Sequence, residues 1–127
     1  MINKLFKKIL IVEDEPSLLK ALEIKFIDEG FEVIKAVDGK QGLEMSLLEH
    51  PDIILLDIVM PIMDGMTMLK KLREDKWGKD AKVIILTNLS DAEKVAKAAE
   101  HNVFDFLVKT DWHISDVVEK VKERLGK

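Results

Sequence analysis

The sequence predicts a single α/β domain built on a parallel sheet, and three observations lead to this prediction. Short runs rich in β-branched residues alternate with longer stretches whose apolar residues recur every three or four positions, which is typical of repeated strand–helix units. Capping and turn residues separate these stretches. The 127 residues are 47% hydrophobic and 35% charged, enough for a core and a polar surface in one domain over residues 1–127.

Five short runs are predicted to be strands. The first, third and fourth are nearly uninterrupted apolar runs, which suits strands covered by helices on both faces. The second contains Glu32 and Lys35 and the fifth contains Asp105, so both are expected at the edges. This distribution favours a five-stranded sheet of order 2-1-3-4-5, the flavodoxin-like doubly wound arrangement, with five helices. The predicted strands are Lys8–Glu13, Phe31–Val37, Asp52–Asp57, Lys82–Thr87 and Val103–Lys109.

A stretch with helical spacing follows each of the first three strands. The first begins at Pro16 and precedes Gly30, as expected for a helix with proline in its first turn and glycine after its end. The second spans Gly39–Glu49, and the third follows a loop over Ile58–Gly65. The apolar residues that carry the helical spacing are Leu18, Leu22 and Phe26, then Leu43, Leu47 and Leu48, then Met66, Leu69 and Leu72.

The last two helices are predicted from a capping signal and from apolar spacing. Ser90 and Glu93 have the spacing of a capping box, which marks the start of the fourth helix. Asn102 is expected to end it in the left-handed conformation. The apolar residues of the fifth helix are Ile114, Val117, Val118, Val121 and Leu125.

Composition and charge exclude several classes of protein. The chain has no cysteine, which excludes disulfides and thiolate metal sites and makes a reducing cytoplasm the natural compartment. A net charge of −4 argues against direct nucleic-acid binding, which usually needs a concentrated basic face. The apolar run Ile9–Val12 is much too short to span a bilayer, so no membrane partner is expected.

Chemically active side chains stand at the carboxyl ends of four predicted strands. Glu13 and Asp14 follow the first, Asp57 ends the third, Thr87 the fourth and Lys109 the fifth. These ends meet at one edge of a parallel sheet, where ligands bind, so the side chains are expected to lie together. Three carboxylates would repel one another unless a cation joined them, and a set of oxygen ligands favours Mg²⁺.

This set of residues indicates phosphoryl transfer to Asp57. Asp57 emerges from the apolar run IILLDIVMP, which would hold its carboxylate rigidly as a nucleophile. Phosphoryl transfer needs mainly positioning and neutralisation of charge, here by Mg²⁺, the Lys109 ammonium and the Thr87 hydroxyl. No general base is required, because an ionised carboxylate is already the nucleophile.

Four motifs have the order and spacing of one known family. They are ILIVEDE (Ile9–Glu15), DIVMPIMDG (Asp57–Gly65), VIILT (Val83–Thr87) and FDFLVK (Phe104–Lys109). With them the chain resembles the receiver domain of two-component response regulators. The resemblance implies a phosphorelay in which a histidine kinase or phosphotransfer protein phosphorylates the domain. It also implies a phosphoacceptor that assists its own phosphorylation and dephosphorylation, rather than an enzyme.

The resemblance further implies a metal site and a phosphoacceptor. The phosphoryl group would be attached to Asp57. Mg²⁺ would be bound by Asp14, Asp57 and the backbone carbonyl of Val59, with Glu13 acting partly through water.

The resemblance also implies a conformational switch. Thr87 and Lys109 would contact the phosphoryl group, and Phe106 would turn inward as Thr87 moves toward it. This movement would reshape the face formed by the fourth helix, the fifth strand and the fifth helix, which is the usual output surface. A protein partner would bind that face, or a second copy of the chain would form a homodimer through it.

Several positions depart from the family pattern. Thr110 follows Lys109 where the family commonly has a proline in a cis bond, and a non-proline cis bond costs about 3 kcal/mol. Asn88 replaces a residue that is smaller in many relatives, so it is expected to narrow access to the phosphorylation site. Val59 and Leu89 occupy positions that modulate water attack on the acyl phosphate. Because neither side chain can orient a water molecule, slow loss of the phosphoryl group is expected.

Taken singly, these residues have ordinary structural explanations. Asp57 could cap a helix, and Thr87 could be a plain strand residue. Lys109 could be a surface charge, and Phe106 could belong to the core. Independent explanations of this kind would not place all of them at one edge of the sheet.

Methionines and tryptophans outside the motifs have less specific interpretations. Trp77 could be exposed or half-buried, and Trp112 could contact a partner beside His113 or pack on the last helix. Flexible core filling is the preferred interpretation of a methionine group made of Met60, Met63, Met66 and Met68.

Two other functions are compatible with part of the pattern. A phosphatase with an aspartate nucleophile would usually have a second acid two residues later, where Val59 stands. A non-phosphorylated flavodoxin-like interaction module would not need the acidic residues together with Thr87 and Lys109. The sequence does not distinguish a stand-alone regulator from the receiver of a longer protein.

Overall fold

A computed structural model of the chain describes residues 7–88, 93, 95, 105–108 and 113–126. Within these ranges the strands form one parallel sheet with the order β2-β1-β3-β4-β5. This confirms the predicted doubly wound topology, with the two polar strands at the edges. The strands are β1 (Lys8–Val12), β2 (Glu32–Ala36), β3 (Ile53–Asp57), β4 (Val83–Thr87) and β5 (Asp105–Val108).

The described helices follow the strands as predicted, and the first three start at a residue whose side chain satisfies a free backbone N–H group. Side chains of Glu15, Asp38 and Asp64 each accept a hydrogen bond from the first turn of the helix that follows, which is the usual role of an N-terminal cap. The fourth predicted helix lies mostly outside the described residues, including Ser90 and Asn102. The described helices are α1 (Pro16–Asp28), α2 (Gly39–Glu49), α3 (Gly65–Glu74) and α4 (Ile114–Arg124).

The core lies in two layers, one on each face of the sheet. Alternate residues of β1 point to opposite faces, so Ile9 packs with α1 and α4 while Leu10 packs with α3. Strands β3 and β4 are buried along their whole length, in agreement with their apolar sequences. Burial of each large aliphatic side chain contributes about 1.5–3 kcal/mol, so the central strands are the most stable part of the fold.

The buried face of α2 differs from the expectation. Leu47 and Leu48 are exposed, Leu48 by 75%, and the buried positions are Gly39, Gly42 and Ser46. A Cβ atom on Gly42 would lie 2.8 Å from the Sδ atom of Met68 in α3. The two helices approach too closely for leucine at this contact, so small residues form its centre. The predicted Leu43 does pack, partly buried, against the core.

One further detail differs from the sequence prediction, and Trp77 takes one of the two positions considered for it. Met68, which was not assigned to the apolar face of α3, is fully buried, whereas Met66 is only partly buried. Trp77 is half-buried, packs against the core and stacks on His50. The methionines do fill the core, because Met60 and Met68 are buried in it and Met63 and Met66 pack against it. Trp112 lies outside the described residues.

An ion pair ties α1 to α4. The Nζ atom of Lys122 lies 2.6 Å from the Oε1 atom of Glu29. The hydrogen bond from Lys122 holds the pKa of Glu29 below its ordinary value, and the same bond raises the pKa of Lys122. Among the described residues, no helix is both long and apolar enough to cross a membrane.

Candidate functional site

Asp57 is the last residue of β3 and is held at the edge formed by the carboxyl ends of the strands, here called the carboxyl edge. The four residues before it are fully buried, and Asp57 itself is 6% exposed. Directly beyond it, the backbone N–H of Gly65 donates to the carbonyl of Ile58 over 2.8 Å. A Cβ atom on Gly65 would lie only 2.2 Å from the backbone oxygen of Asp57. Close packing on both sides therefore restricts the position of the Asp57 carboxylate.

Two more carboxylates reach Asp57 from the end of β1. Oxygen atoms of Glu13, Asp14 and Asp57 lie within 4.8 Å of one another. Glu13 is 1% exposed, and its Oε2 atom accepts a hydrogen bond of 3.1 Å from the backbone N–H of Glu15. Asp14 is exposed at the mouth of the site. The structure thus brings together the three acidic residues that the sequence analysis selected.

The acidic cluster fits a small hard cation. Mg²⁺ binds oxygen ligands at about 2.0–2.1 Å, so opposite ligands in its octahedral shell lie about 4.2 Å apart. The 4.8 Å limit on the cluster is close to that separation, and small side-chain movements would close the difference. Val59, two residues beyond Asp57, has an exposed side chain, and its backbone carbonyl belongs to the same loop. The donor set therefore suits magnesium, which tolerates few protein ligands and keeps several waters.

Thr87 ends β4 beside Asp57. In the paired strands Asp57 lies opposite Leu86, and Thr87 lies opposite Val108 of β5. Thr87 is fully buried, and its hydroxyl donates a hydrogen bond of 3.0 Å to the backbone carbonyl of Asn88. Asn88 is exposed next to it.

Phe106 lies in β5 opposite Ile85, and it is 38% exposed. Lys109 follows β5 in the chain but lies outside the described residues, as do Leu89 and Thr110. The expected position of Lys109 beside Asp57 therefore stays a prediction, and the isomer of the bond before Thr110 lies outside what the structure describes.

The loop after Asp57 contains a feature that the sequence analysis missed. Ile62 has a φ of +69° and is 79% exposed, and the N–H of Met63 donates to the carbonyl of Pro61 over 2.7 Å. The N–H of Gly39, at the start of α2, donates in turn to the carbonyl of Met63 over 2.9 Å. A Cβ atom on Gly39 would lie 2.2 Å from that oxygen. The glycine after a capping aspartate was the available signal, and the contact anchors the loop to α2.

The chain has a doubly wound parallel sheet, with a buried aspartate and a magnesium-compatible cluster at its carboxyl edge. These features define a class of α/β domains that bind ligands at this edge. Within that class, this chain belongs to the family of response regulator receiver domains, because the model of that family matches residues 9–122. Receiver domains are phosphoacceptor signalling domains of two-component systems rather than conventional enzymes.

Individual relatives agree with this assignment. The chain is 39% identical over 108 residues to the probable transcriptional regulator ycf27 of Cyanophora paradoxa, covering 85% of this chain and 43% of the relative. It thus spans less than half the length of that regulator. A CheY-like receiver domain protein from Methanospirillum hungatei has 28% identity and a TM-score of 0.86, with 95% of this chain and 94% of the other covered.

A third comparison supports the fold alone. The receiver domain of a sensor histidine kinase from Pseudomonas aeruginosa is 23% identical, with a TM-score of 0.86 over 96% of this chain and 99% of the other. That structure contains a magnesium ion coordinated in its active site cleft.

Proposed function

We propose that this chain is the phosphoacceptor of a phosphorelay and that Asp57 accepts a phosphoryl group from a histidine kinase or phosphotransfer protein. The observation that carries the proposal is the Asp57 carboxylate, nearly buried at the end of an apolar strand and within 4.8 Å of two further carboxylates. Membership of the receiver family adds support. The domain acts in the cytoplasm as one unit over residues 1–127.

The proposed magnesium ligands are the side chains of Glu13, Asp14 and Asp57 and the backbone carbonyl of Val59, with Glu13 acting partly through water. When bound, Mg²⁺ supplies positive charge that offsets the carboxylates and the incoming phosphoryl oxygens. The acidic cluster and its spacing support this assignment.

The chain's own residues carry out the transfer. A carboxylate oxygen of Asp57 forms the new bond to phosphorus as the bond between phosphorus and the donor imidazole nitrogen breaks. The leaving nitrogen keeps that electron pair, and no proton has to be removed from Asp57. The packing around β3 keeps the nucleophile in line, and positioning is the main contribution of protein to this reaction. Lys109 would neutralise part of the phosphoryl charge.

Phosphorylation would be read out through Thr87 and Phe106. The Thr87 hydroxyl donates a hydrogen bond of 3.0 Å to the Asn88 carbonyl. On phosphorylation it would rotate and donate to a phosphoryl oxygen instead. That movement would vacate space into which Phe106, 38% exposed on the adjacent strand, would turn. The face formed by the fourth predicted helix, β5 and α4 would then bind a protein partner or a second copy of the chain. DNA binding would belong to other parts of longer relatives.

One experiment distinguishes the three functions considered above. The protein is incubated with Mg²⁺ and acetyl phosphate, and its intact mass is measured beside that of Asp57→Asn. A single phosphoryl group in the wild type and none in the variant is the result expected of a phosphoacceptor. Steady hydrolysis of acetyl phosphate without an adduct would favour a phosphatase. No modification would favour a non-phosphorylated interaction module.

A further inference from the structure

A cavity opens at the end of the sheet opposite Asp57. Its volume is about 490 Å³, within the range of about 300–1,000 Å³ that is usual for small-molecule sites. Its lining residues include Lys7, Asp52 and Lys82, which immediately precede β1, β3 and β4. The loop between α3 and β4 and the end of α4 complete the wall. This cavity is separate from the carboxyl edge and has no part in the phosphoryl transfer.

Two aromatic rings form one side of the cavity. His50 and Trp77 stack with ring centroids 4.3 Å apart and an angle of 8° between the ring planes, and both line the cavity. His50 is exposed, and Trp77 is half-buried against the core. A flat, partly desolvated aromatic surface of this kind favours the stacking of a planar ligand.

The aromatic wall is held in place by polar contacts in the loop that carries Trp77. The Oδ2 atom of Asp75 accepts hydrogen bonds of 2.9 Å from the backbone N–H groups of Trp77 and Gly78. The guanidinium of Arg73 donates to the carbonyls of Gly78 and Ala81 over 2.7 and 2.9 Å. The loop therefore presents Trp77 in a fixed position before any ligand binds, which reduces the entropic cost of binding.

His50 is held in an unfavourable backbone conformation. Its φ is +47° at the end of α2, where glycine or asparagine is the usual residue. A residue with a Cβ atom pays about 1–2 kcal/mol for the left-handed conformation. Backbone strain of this kind is concentrated at functional sites, and here it directs an imidazole ring onto Trp77.

Positive charge predominates among the groups free to meet a ligand. The Oδ2 atom of Asp52 already accepts the backbone N–H of Lys8 over 2.7 Å, and Asp80 interacts electrostatically with Arg73. Lys7 and Lys76 line the cavity, and within the described ranges neither ammonium forms an ion pair. These two ammonium groups are thus available for an anionic ligand.

We infer that this cavity is a binding site for a small molecule that combines a planar ring with a negatively charged group, such as a nucleoside monophosphate or an aromatic carboxylate. The ring stacks on the wall formed by His50 and Trp77. The anionic group pairs with Lys7 and Lys76. Both features are required, because an exposed ion pair alone contributes little and a single stacking contact contributes about 0.5–1.5 kcal/mol.

The test is a titration followed by NMR on the full chain without acetyl phosphate. The probes are AMP and 2-naphthoate, each of which combines a planar ring with an anionic group. Adenosine, which has only the ring, and inorganic phosphate, which has only the charge, are the controls. Saturable shifts of the Trp77 indole N–H and the His50 ring are expected, with adenosine and phosphate binding at least about tenfold more weakly. Binding of only one of the two probes supports the inference and identifies the ligand type. The absence of saturable shifts with both probes at millimolar concentration would overturn it.

Variants provide the second part of the test. Lys76→Gln should weaken binding of AMP by about three- to fivefold, whereas Lys20→Gln, an equal change of charge on an exposed residue of α1, should leave it unchanged. Trp77→Leu removes the stack but also alters packing against the core. His50→Gly therefore accompanies it, since glycine suits a φ of +47° and removes the ring without straining the fold. Equal affinity in Lys76→Gln and wild type would contradict the inference. Because no phosphoryl donor is present, the result is independent of the proposed phosphorylation of Asp57.

Discussion

Substitution of Gly65 by alanine should slow phosphorylation of Asp57 far more than the accompanying loss of stability would explain. The added Cβ atom would start 2.2 Å from the backbone oxygen of Asp57 and 3.0 Å from the Cα atom of Ile58. Since contacts this short do not persist, the backbone that carries Asp57 must move by about 1 Å. Overpacking of this kind costs roughly 1–3 kcal/mol of unfolding free energy. A displacement of about 1 Å in a reacting group can lower the rate of reaction by about a hundredfold.

Gly30→Ala is the matched control for this substitution. Gly30 has a φ of +91° and nothing within 4 Å of the position of a Cβ atom. Alanine at this position would lower the free energy of unfolding by about 1–2 kcal/mol because of its backbone conformation, without contacting Asp57. Urea denaturation measures the stability of both variants, and the rate of phosphorylation by acetyl phosphate measures the site. Both variants should lose comparable stability, but only Gly65→Ala should be phosphorylated slowly. A wild-type rate in Gly65→Ala would refute the conclusion that close packing positions Asp57.

Three other changes test separate parts of the structure. Val59→Asn places a polar group two residues after Asp57 and should speed loss of the phosphoryl group by roughly tenfold, less than full general acid–base assistance. Equal lifetimes of the phosphorylated wild type and variant would exclude an effect of the Val59 side chain on this loss. Ile62→Asn should raise the free energy of unfolding in urea by about 1 kcal/mol, because asparagine tolerates the φ of +69° and removal of the exposed isoleucine side chain loses little packing. A urea midpoint below that of the wild type would contradict this prediction. The pKa of Glu29 is lowered by its ion pair with Lys122, so the pair stabilises the fold at pH values above the usual pKa of a glutamate. This stabilisation is lost as the pH falls through the pKa that Glu29 has in the folded state. The free energy of unfolding of Glu29→Gln should therefore change less with pH in acid than that of the wild type. The same pH dependence in both proteins would show that the pair contributes nothing.

The sheet and its acidic edge could be predicted because they depend on local pattern. Strands covered on both faces need continuous apolar runs, so β3 and β4 were recognisable, and the single charge of Asp57 marked the point where β3 ends. Parallel topology then placed Glu13 and Asp14 near Asp57 without any knowledge of distances. The same reasoning placed polar residues such as Glu32 on an edge strand.

Features that depend on how closely elements approach one another could not be predicted. The apolar spacing of α2 suggested Leu48 as a contact residue, but the distance between α2 and α3 is set by Gly42. The strained turn at Ile62 arises from the closure of a loop in three dimensions. The stack of Trp77 on His50 joins residues of two different loops, and no spacing rule connects them.

The chemical identity of the modified residue is the most direct measurement of the proposed function. Protein treated with Mg²⁺ and acetyl phosphate is reduced with borohydride, which converts an aspartyl phosphate to homoserine, and is then digested for tandem mass spectrometry. Homoserine should be found at position 57, it should require Mg²⁺, and Asp57→Asn should contain none. Homoserine at another aspartate, or a phosphoryl group retained in Asp57→Asn, would contradict the assignment of Asp57 as the phosphoacceptor.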